Sequence, residues 1–169
     1  MADMNGTAKA GHVREKIVQL ISYAETLRGL THYAALRARP RESGIVAPDP
    51  LYVNMAKYHF AHGYHEAVRN VQDIAGGALV TGPGAEDLAA PETAAYYERF
   101  YAGRAGVGGK ERLQALSLVR DLVASEFGTY QEVLAVHAEG SLEAEKLMLF
   151  RSYDARPALK FVRGLAGLP

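Results

Sequence analysis

Residues 49–77 read DPLYVNMAKYHFAHGYHEAVRNVQDIAGG, and this stretch decides the fold. Asp49 is a good helix N-cap, because its carboxylate can accept from the first free backbone N–H groups. Pro50 suits the first helical position, where no N–H is needed. Behind them Leu51, Met55, Tyr58, His62, Val68, Val71 and Ile74 recur at helical spacing until Gly76-Gly77. The pattern predicts one long helix between the proline and the double glycine.

Upstream, steps of three and four link Val13, Ile17, Leu20, Ile21, Ala24, Leu27, Thr31 and Ala34. They predict an amphipathic helix from about Gly11 until Pro40 forces an end, roughly 40 Å long. A loop punctuated by Gly44 and Pro48 joins it to the second helix. Downstream, Thr81-Gly82-Pro83-Gly84 is a turn-rich break. Pro91-Glu92 opens a shorter helix carrying Tyr96, Tyr97, Phe100 and Tyr101, which Gly103, Gly106, Gly108 and Gly109 close. A third long helix is expected from Lys110 to about Glu139, with Leu113, Leu116, Leu122, Val123, Phe127, Tyr130 and Leu134 inward. Gly140 and Ser141 mark its stop and the next cap, and Leu142 to Phe150 and Pro157 to Leu165 read as shorter helices. Strand alternation and internal repeats are missing. The expected class is all-α, an antiparallel bundle of long helices.

The chain's 169 residues fit one domain, and 49% hydrophobic with 22% charged residues is a globular balance. Nineteen basic residues face nineteen acidic ones, which argues against nucleic-acid binding, since that affinity rests on clustered positive charge. The absence of cysteine excludes disulfides, thiolate metal sites and a cysteine nucleophile within this chain. No run approaches the roughly 20 apolar residues of a membrane span, and Met1 to Lys9 lacks a signal-peptide core, so a cytoplasmic protein without membrane contact is expected.

Few residues suggest chemistry. His59, His62 and Glu66 fall within about 60° of arc on a helix, with His65 off to the side. A metal site there is conceivable; histidines at a helix or subunit seam are the plainer reading, and no metal is expected. Gly76-Gly77 has two readings. Backbone without Cβ lets a ligand, above all a phosphate, approach peptide N–H groups, and a helix C-terminus also favours glycine. Gly128 within Phe127-Gly128-Thr129-Tyr130-Gln131 is open in the same way: space for a planar ring beside an aromatic and an amide, or a close helix crossing. No Ser-His-Asp, phosphate-loop or paired-carboxylate arrangement stands out, and no catalytic residue is assigned.

Together these segments resemble a known family. Val71-Gln72-Asp73-Ile74-Ala75-Gly76-Gly77-Ala78-Leu79-Val80-Thr81, followed by the Pro/Gly turn and Pro91 to Tyr101, is similar to the C-terminal domain of the 4-hydroxyphenylacetate 3-hydroxylase / 4-hydroxybutyryl-CoA dehydratase flavoproteins. Ala2-Asp3-Met4-Asn5-Gly6 with Lys9, His12 and Lys16, then Glu25-Thr26-Leu27, resembles the entry into that domain. Pro48-Asp49-Pro50-Leu51 with Asn54 and Lys57, and Leu122 to Gln131 with Gly140-Ser141, agree in order. The Asp3-to-Lys16 pattern looks closer to the dehydratase side.

The resemblance implies a helical bundle like the C-terminal domain of acyl-CoA dehydrogenases, spanning residues 1–169, in a homo-oligomer. It implies FAD held between this domain, a central β domain and a neighbouring subunit. Gln72, Gly76 and Gly77 would lie near the FAD pyrophosphate, and Phe127, Gly128, Tyr130 and Gln131 along another part of the nucleotide. The family's N-terminal helical and central β domains have no counterpart in these residues, and its iron–sulfur ligands lie upstream, so no such cluster is expected here. His59, His62 and His65 match none of the family's metal ligands. The expectation is a C-terminal domain, encoded as its own chain, of a flavin-dependent oxidoreductase or dehydratase. It would share its FAD site and oligomer contacts with a chain supplying the other domains and would be inactive alone. The alternative is a non-catalytic helical module for self-association or partner binding.

Overall fold

The computed structural model describes residues 1–138 and 140–168. Its two longest elements are α1 (Gly11–Leu36) and α2 (Pro50–Ala75), joined by a hairpin of β1 (Arg39–Pro40) paired antiparallel with β2 (Val46–Ala47). Asp49 caps α2 as its sequence position demands, accepting from the Leu51 N–H at 3.0 Å, and Gly76 closes the helix at φ +78°. Contacts run in descending order along α2 as they ascend α1: Tyr33 against Tyr52, the Tyr23 hydroxyl donating to the Phe60 carbonyl, Gln19 bonded to Asn70, Lys16 paired with Asp73. The two helices are therefore antiparallel. Gly63 lets them close up, because a Cβ there would stand 2.7 Å from the Tyr23 ring.

Past the double glycine come α3 (Ala78–Thr81), α4 (Ala85–Ala89), α5 (Pro91–Phe100), α6 (Gly109–Val123), α7 (Glu126–His137), α8 (Leu142–Ser152) and α9 (Arg156–Leu165). Helix α2 is the hub, with α1, α6, α7 and α8 all packed against it. Helix α7 descends it antiparallel, as Gln72 bonds Val123 just before α7 begins and His65 pairs with Glu132 further along. Ala75, Leu79, Leu113 and Leu116 form the core cluster directly under the end of α2, walled by Tyr97, Tyr101 and Val119. Among the described residues Leu116 is the largest fully buried side chain.

The expected third long helix is two helices. The chain breaks at Ala124 (φ −149°), and the Ser125 hydroxyl accepts from the Gly128 N–H at 3.0 Å to start α7. A serine that caps a new helix competes with the i→i−4 ladder, and here it wins. The interruption thus lies upstream of Phe127-Gln131, which sits inside α7; the anticipated end at Glu139 lies outside the described residues. The inward assignment holds for Leu113 and Leu116 and fails for Leu122, Phe127, Tyr130 and Leu134, which are exposed. The first helix stops at Leu36, before Pro40, which enters the short hairpin that two-residue strands kept out of sight.

Candidate functional site

The end of α2 is built from the last turn outward. Asn5 donates from Nδ2 to the Ile74 carbonyl at 3.2 Å and is itself held by Arg112, whose Nε donates to Asn5 Oδ1 at 2.7 Å. Lys16 Nζ lies 2.8 Å from Asp73, and this hydrogen-bonded ammonium holds the Asp73 carboxyl below its ordinary range. Gln72 donates from Nε2 to the Val123 carbonyl at 2.5 Å. Beyond the glycines, Arg120 donates to the carbonyls of Leu79 and Gly82. Carbonyls at the ends of α2, α6 and α3 are thus taken up by side chains of the N-terminal segment, α2 and α6 respectively.

Within this frame the two glycines differ. Gly76 has φ +78°, a conformation that L side chains rarely adopt, and its N–H donates to the Gln72 carbonyl. The helix-end reading explains it. Gly77 is in ordinary helical geometry (φ −58°, ψ −30°), and nothing lies within 4 Å of where its Cβ would be. Neither its backbone nor its neighbours require glycine. Among the described residues, the N–H groups of Gly77 and Ala78 appear in no backbone hydrogen bond.

Gly128 is the reverse case. It is buried, and a Cβ would stand 2.8 Å from both the carbonyl carbon and oxygen of Leu122 and 2.9 Å from the Asp121 oxygen. Close approach of α7 to the end of α6 accounts for it. Phe127, Tyr130 and Gln131 point elsewhere: at 100° per residue they share one face of α7, where Phe127 and Tyr130 are 57% and 60% exposed. The structure brings the α2 end and the α6–α7 corner together through the Gln72–Val123 bond, with Gly128 facing inward and the aromatic pair outward.

The histidines serve packing. His59 hydrogen-bonds the Tyr23 carbonyl at 3.1 Å and lies against its ring, His62 stacks on Tyr58, and His65 pairs with Glu132, while Glu66 pairs with Arg69. Among the described residues no three potential ligands converge on a metal position. No described helix is long and apolar enough to cross a membrane. The roles of Asn5, Arg112, Arg120 and Ser125 escaped sequence reasoning; only Ser125, a cap residue followed by an acidic first turn, left a local signal. An apolar groove of about 530 Å³ lies away from the glycines, between α1 and α2, lined by Leu27, Thr31, Ala34, Val53, Ala56 and Phe60 among others.

The profile of the 4-hydroxyphenylacetate 3-hydroxylase C-terminal family matches residues 1–167. The 4-hydroxybutyryl-CoA dehydratase/vinylacetyl-CoA-Δ-isomerase of Clostridium aminobutyricum is 25% identical across 99% of this chain and 36% of its own length. The oxygenase component of 4-hydroxyphenylacetate 3-monooxygenase from Thermus thermophilus is 28% identical across 96% of this chain and 34% of its own length. Among solved structures, a 4-hydroxyphenylacetate 3-monooxygenase oxygenase component in complex with FAD superposes with a TM-score of 0.89 at 27% identity, over 97% of this chain and 34% of that one. The oxygen-tolerant archaeal 4-hydroxybutyryl-CoA dehydratase of N. maritimus superposes at 0.87 and 26% identity, covering 99% and 34%. The chain spans about a third of the length of the relatives it matches. Its helices, in order and in three dimensions, are those of one domain shared by hydroxylases and dehydratases: the chain belongs to the 4-hydroxyphenylacetate 3-hydroxylase C-terminal family.

Proposed function

We propose that this chain supplies one wall of an FAD site in a flavin-dependent oxidoreductase or dehydratase. The remaining walls would come from polypeptide corresponding to the other two-thirds of its relatives. The observation that carries the reading is Gly77, a glycine that its own domain does not need, set in open space on a rigid, core-backed corner. An absent Cβ with unengaged N–H groups beside it suits an anionic group approaching from outside, as the FAD pyrophosphate would. Gln72, Gly76 and Gly77 would hold that part of the nucleotide, and Phe127, Tyr130 and Gln131 offer an exposed aromatic and amide face for another part. Gly128 would act by packing α7 close enough to present them.

When bound, FAD supplies the electron-transfer chemistry that amino-acid side chains lack. The chain's own residues bind and orient it; none is assigned a proton-transfer role. Supplied alone with FAD, the chain is expected to show no turnover, and measurable turnover would refute that.

The direct test is co-purification with polypeptide corresponding to the rest of its relatives, reading flavin absorbance per complex. Gly77→Val is expected to lower flavin retention roughly tenfold or more while leaving the chain's own melting temperature within about 2 °C, because the new side chain points into protein-free space. Unchanged flavin retention would defeat the assignment.

A further inference from the structure

The link between α1 and α2 reads Arg37-Ala38-Arg39-Pro40-Arg41, three arginines at a spacing of two. In extended chain that spacing returns side chains to one side, and the hairpin uses it. Arg37, Arg39 and Arg41 all line one recess of about 180 Å³, walled by Pro40, Ala47, Pro48 and Pro50 and floored by Asp49.

The recess is held in shape. The Arg41 N–H donates to the Ile45 carbonyl at 2.8 Å, and the Asp49 N–H ties the far end of the link to the Ala34 carbonyl of α1 at 3.0 Å. Arg37 is oriented from two directions. Its Nε donates to Asp49 Oδ2 at 3.1 Å, and its guanidinium stands 5.7 and 5.9 Å from the ring centres of Tyr33 and Tyr52. The one carboxylate in the recess is spent, since Asp49 Oδ1 takes the Leu51 N–H while Oδ2 takes Arg37. Arg39 donates to the Ala38 carbonyl, and among the described residues neither Arg39 nor Arg41 has a carboxylate partner. Glu42, the neighbouring acid, is not part of the lining. Three guanidinium groups against one carboxylate leave a local charge of +2 on a chain that is neutral overall.

We infer that this recess binds a phosphomonoester, with Arg37, Arg39 and Arg41 on the phosphate and the proline wall against the organic group that carries it. The charge selects a dianion over a carboxylate or a sulfate ester, each of which brings one charge. Planar guanidinium forks match tetrahedral oxygens in pairs, which a point charge does not. The start of α2 adds the positive end of its dipole beside them. Pro40, Pro48 and Pro50 offer rigid apolar rings with no N–H, so they suit carbon better than water. A small molecule fits better than a charged surface, because the recess is narrow and the neutral chain has no broad excess of positive charge behind it. The site lies at the opposite end of α2 from Gly77, about 40 Å away along the helix.

The test is calorimetric titration of the full chain with phenyl phosphate, phenyl sulfate and inorganic sulfate. Phenyl phosphate should bind with a dissociation constant below about 1 mM, and both sulfates about fivefold or more weaker. Arg39→Gln and Arg41→Gln, both exposed, should each weaken phenyl phosphate about tenfold and leave the helical circular dichroism intact. Arg14→Gln, exposed near the far end of α1, should change nothing. Absence of binding would overturn the inference, as would equal affinity for inorganic sulfate or an affinity indifferent to Arg39→Gln and Arg41→Gln. So would association confined to phosphatidic-acid vesicles, which would make the hairpin, with its exposed Ile45 and Val46, a membrane contact instead. None of these readouts involves flavin, so their failure and that of the FAD-wall reading are separable.

Discussion

Gly77 and Gly128 can both be altered by adding a single methyl, with opposite expected outcomes. Gly128→Ala drives a Cβ against the backbone of Asp121 and Leu122, which cannot swing aside as a side chain would, and should destabilise the chain by about 1–3 kcal/mol. Gly77→Ala meets no protein atom in a helical conformation and should leave stability within about 0.5 kcal/mol. Thermal or urea unfolding of the two variants checks both statements. Tyr23 gives a third measurement at this scale. Its hydroxyl is partly buried and donates to the Phe60 carbonyl, and burial is the main cause that pushes its pKa up to about 12. The folded chain therefore keeps a proton that the unfolded chain releases near pH 10, so stability is lost as pH rises from about 10 through 12. Ultraviolet titration should show one tyrosine ionising late, and that step should vanish in Tyr23→Phe, at a loss of about 1 kcal/mol near neutral pH.

Among elements, the corner between α6 and α7 is the part that periodicity misread. A stripe running from Leu113 to Leu134 looks like one helix, because helical spacing is insensitive to a break that preserves phase. Ser125 makes the break, and Ser125→Ala should destabilise the chain by about 1 kcal/mol, measurable by unfolding, by leaving the first turn of α7 without its cap. The α1–α2 seam is legible from the opposite cause: its stop and start signals, Pro40, Asp49, Pro50 and Gly76, are local. Its ends are tied by Lys16–Asp73 and Arg37–Asp49, and each cation, through its hydrogen bond, holds its partner carboxyl below the ordinary range. A lowered folded-state pKa contributes stability above pH about 4 that is lost as pH falls through the lowered value. The melting temperature should therefore drop in acid, and Asp73→Asn should flatten part of that slope. Added salt should weaken the effect, since both pairs face water.

At the scale of the molecule, the arrangement is a hub helix with a small core at one end and much apolar surface left over. Ile21, Leu36, Phe127, Tyr130 and Phe150 are exposed together with the face of α9, more than a monomer ordinarily leaves in contact with water. Such a surface fits a domain built to be covered. Binding of the complementing polypeptide should raise the chain's melting temperature in proportion to the logarithm of the partner's concentration, because a ligand of the folded state shifts the equilibrium by mass action. A melting temperature unmoved by a partner that co-purifies would show that the contact avoids the folded bundle.

By itself the sequence determined what depends on neighbours within a turn or two: long helices with their caps, the glycine that ends α2, an all-α class and the order of motifs that marks the family. These signals are local because helix hydrogen bonds and apolar spacing join residues three and four apart. Only the tertiary structure decided which glycine is spent on packing and which is not, since a Cβ clash comes from atoms on another turn or another helix. It also placed Asn5, Arg112 and Arg120 under the end of α2 across many residues of chain, and it left α9 standing free. Burial and long-range hydrogen bonds are properties of pairs brought together by folding, and no one-dimensional pattern carries them.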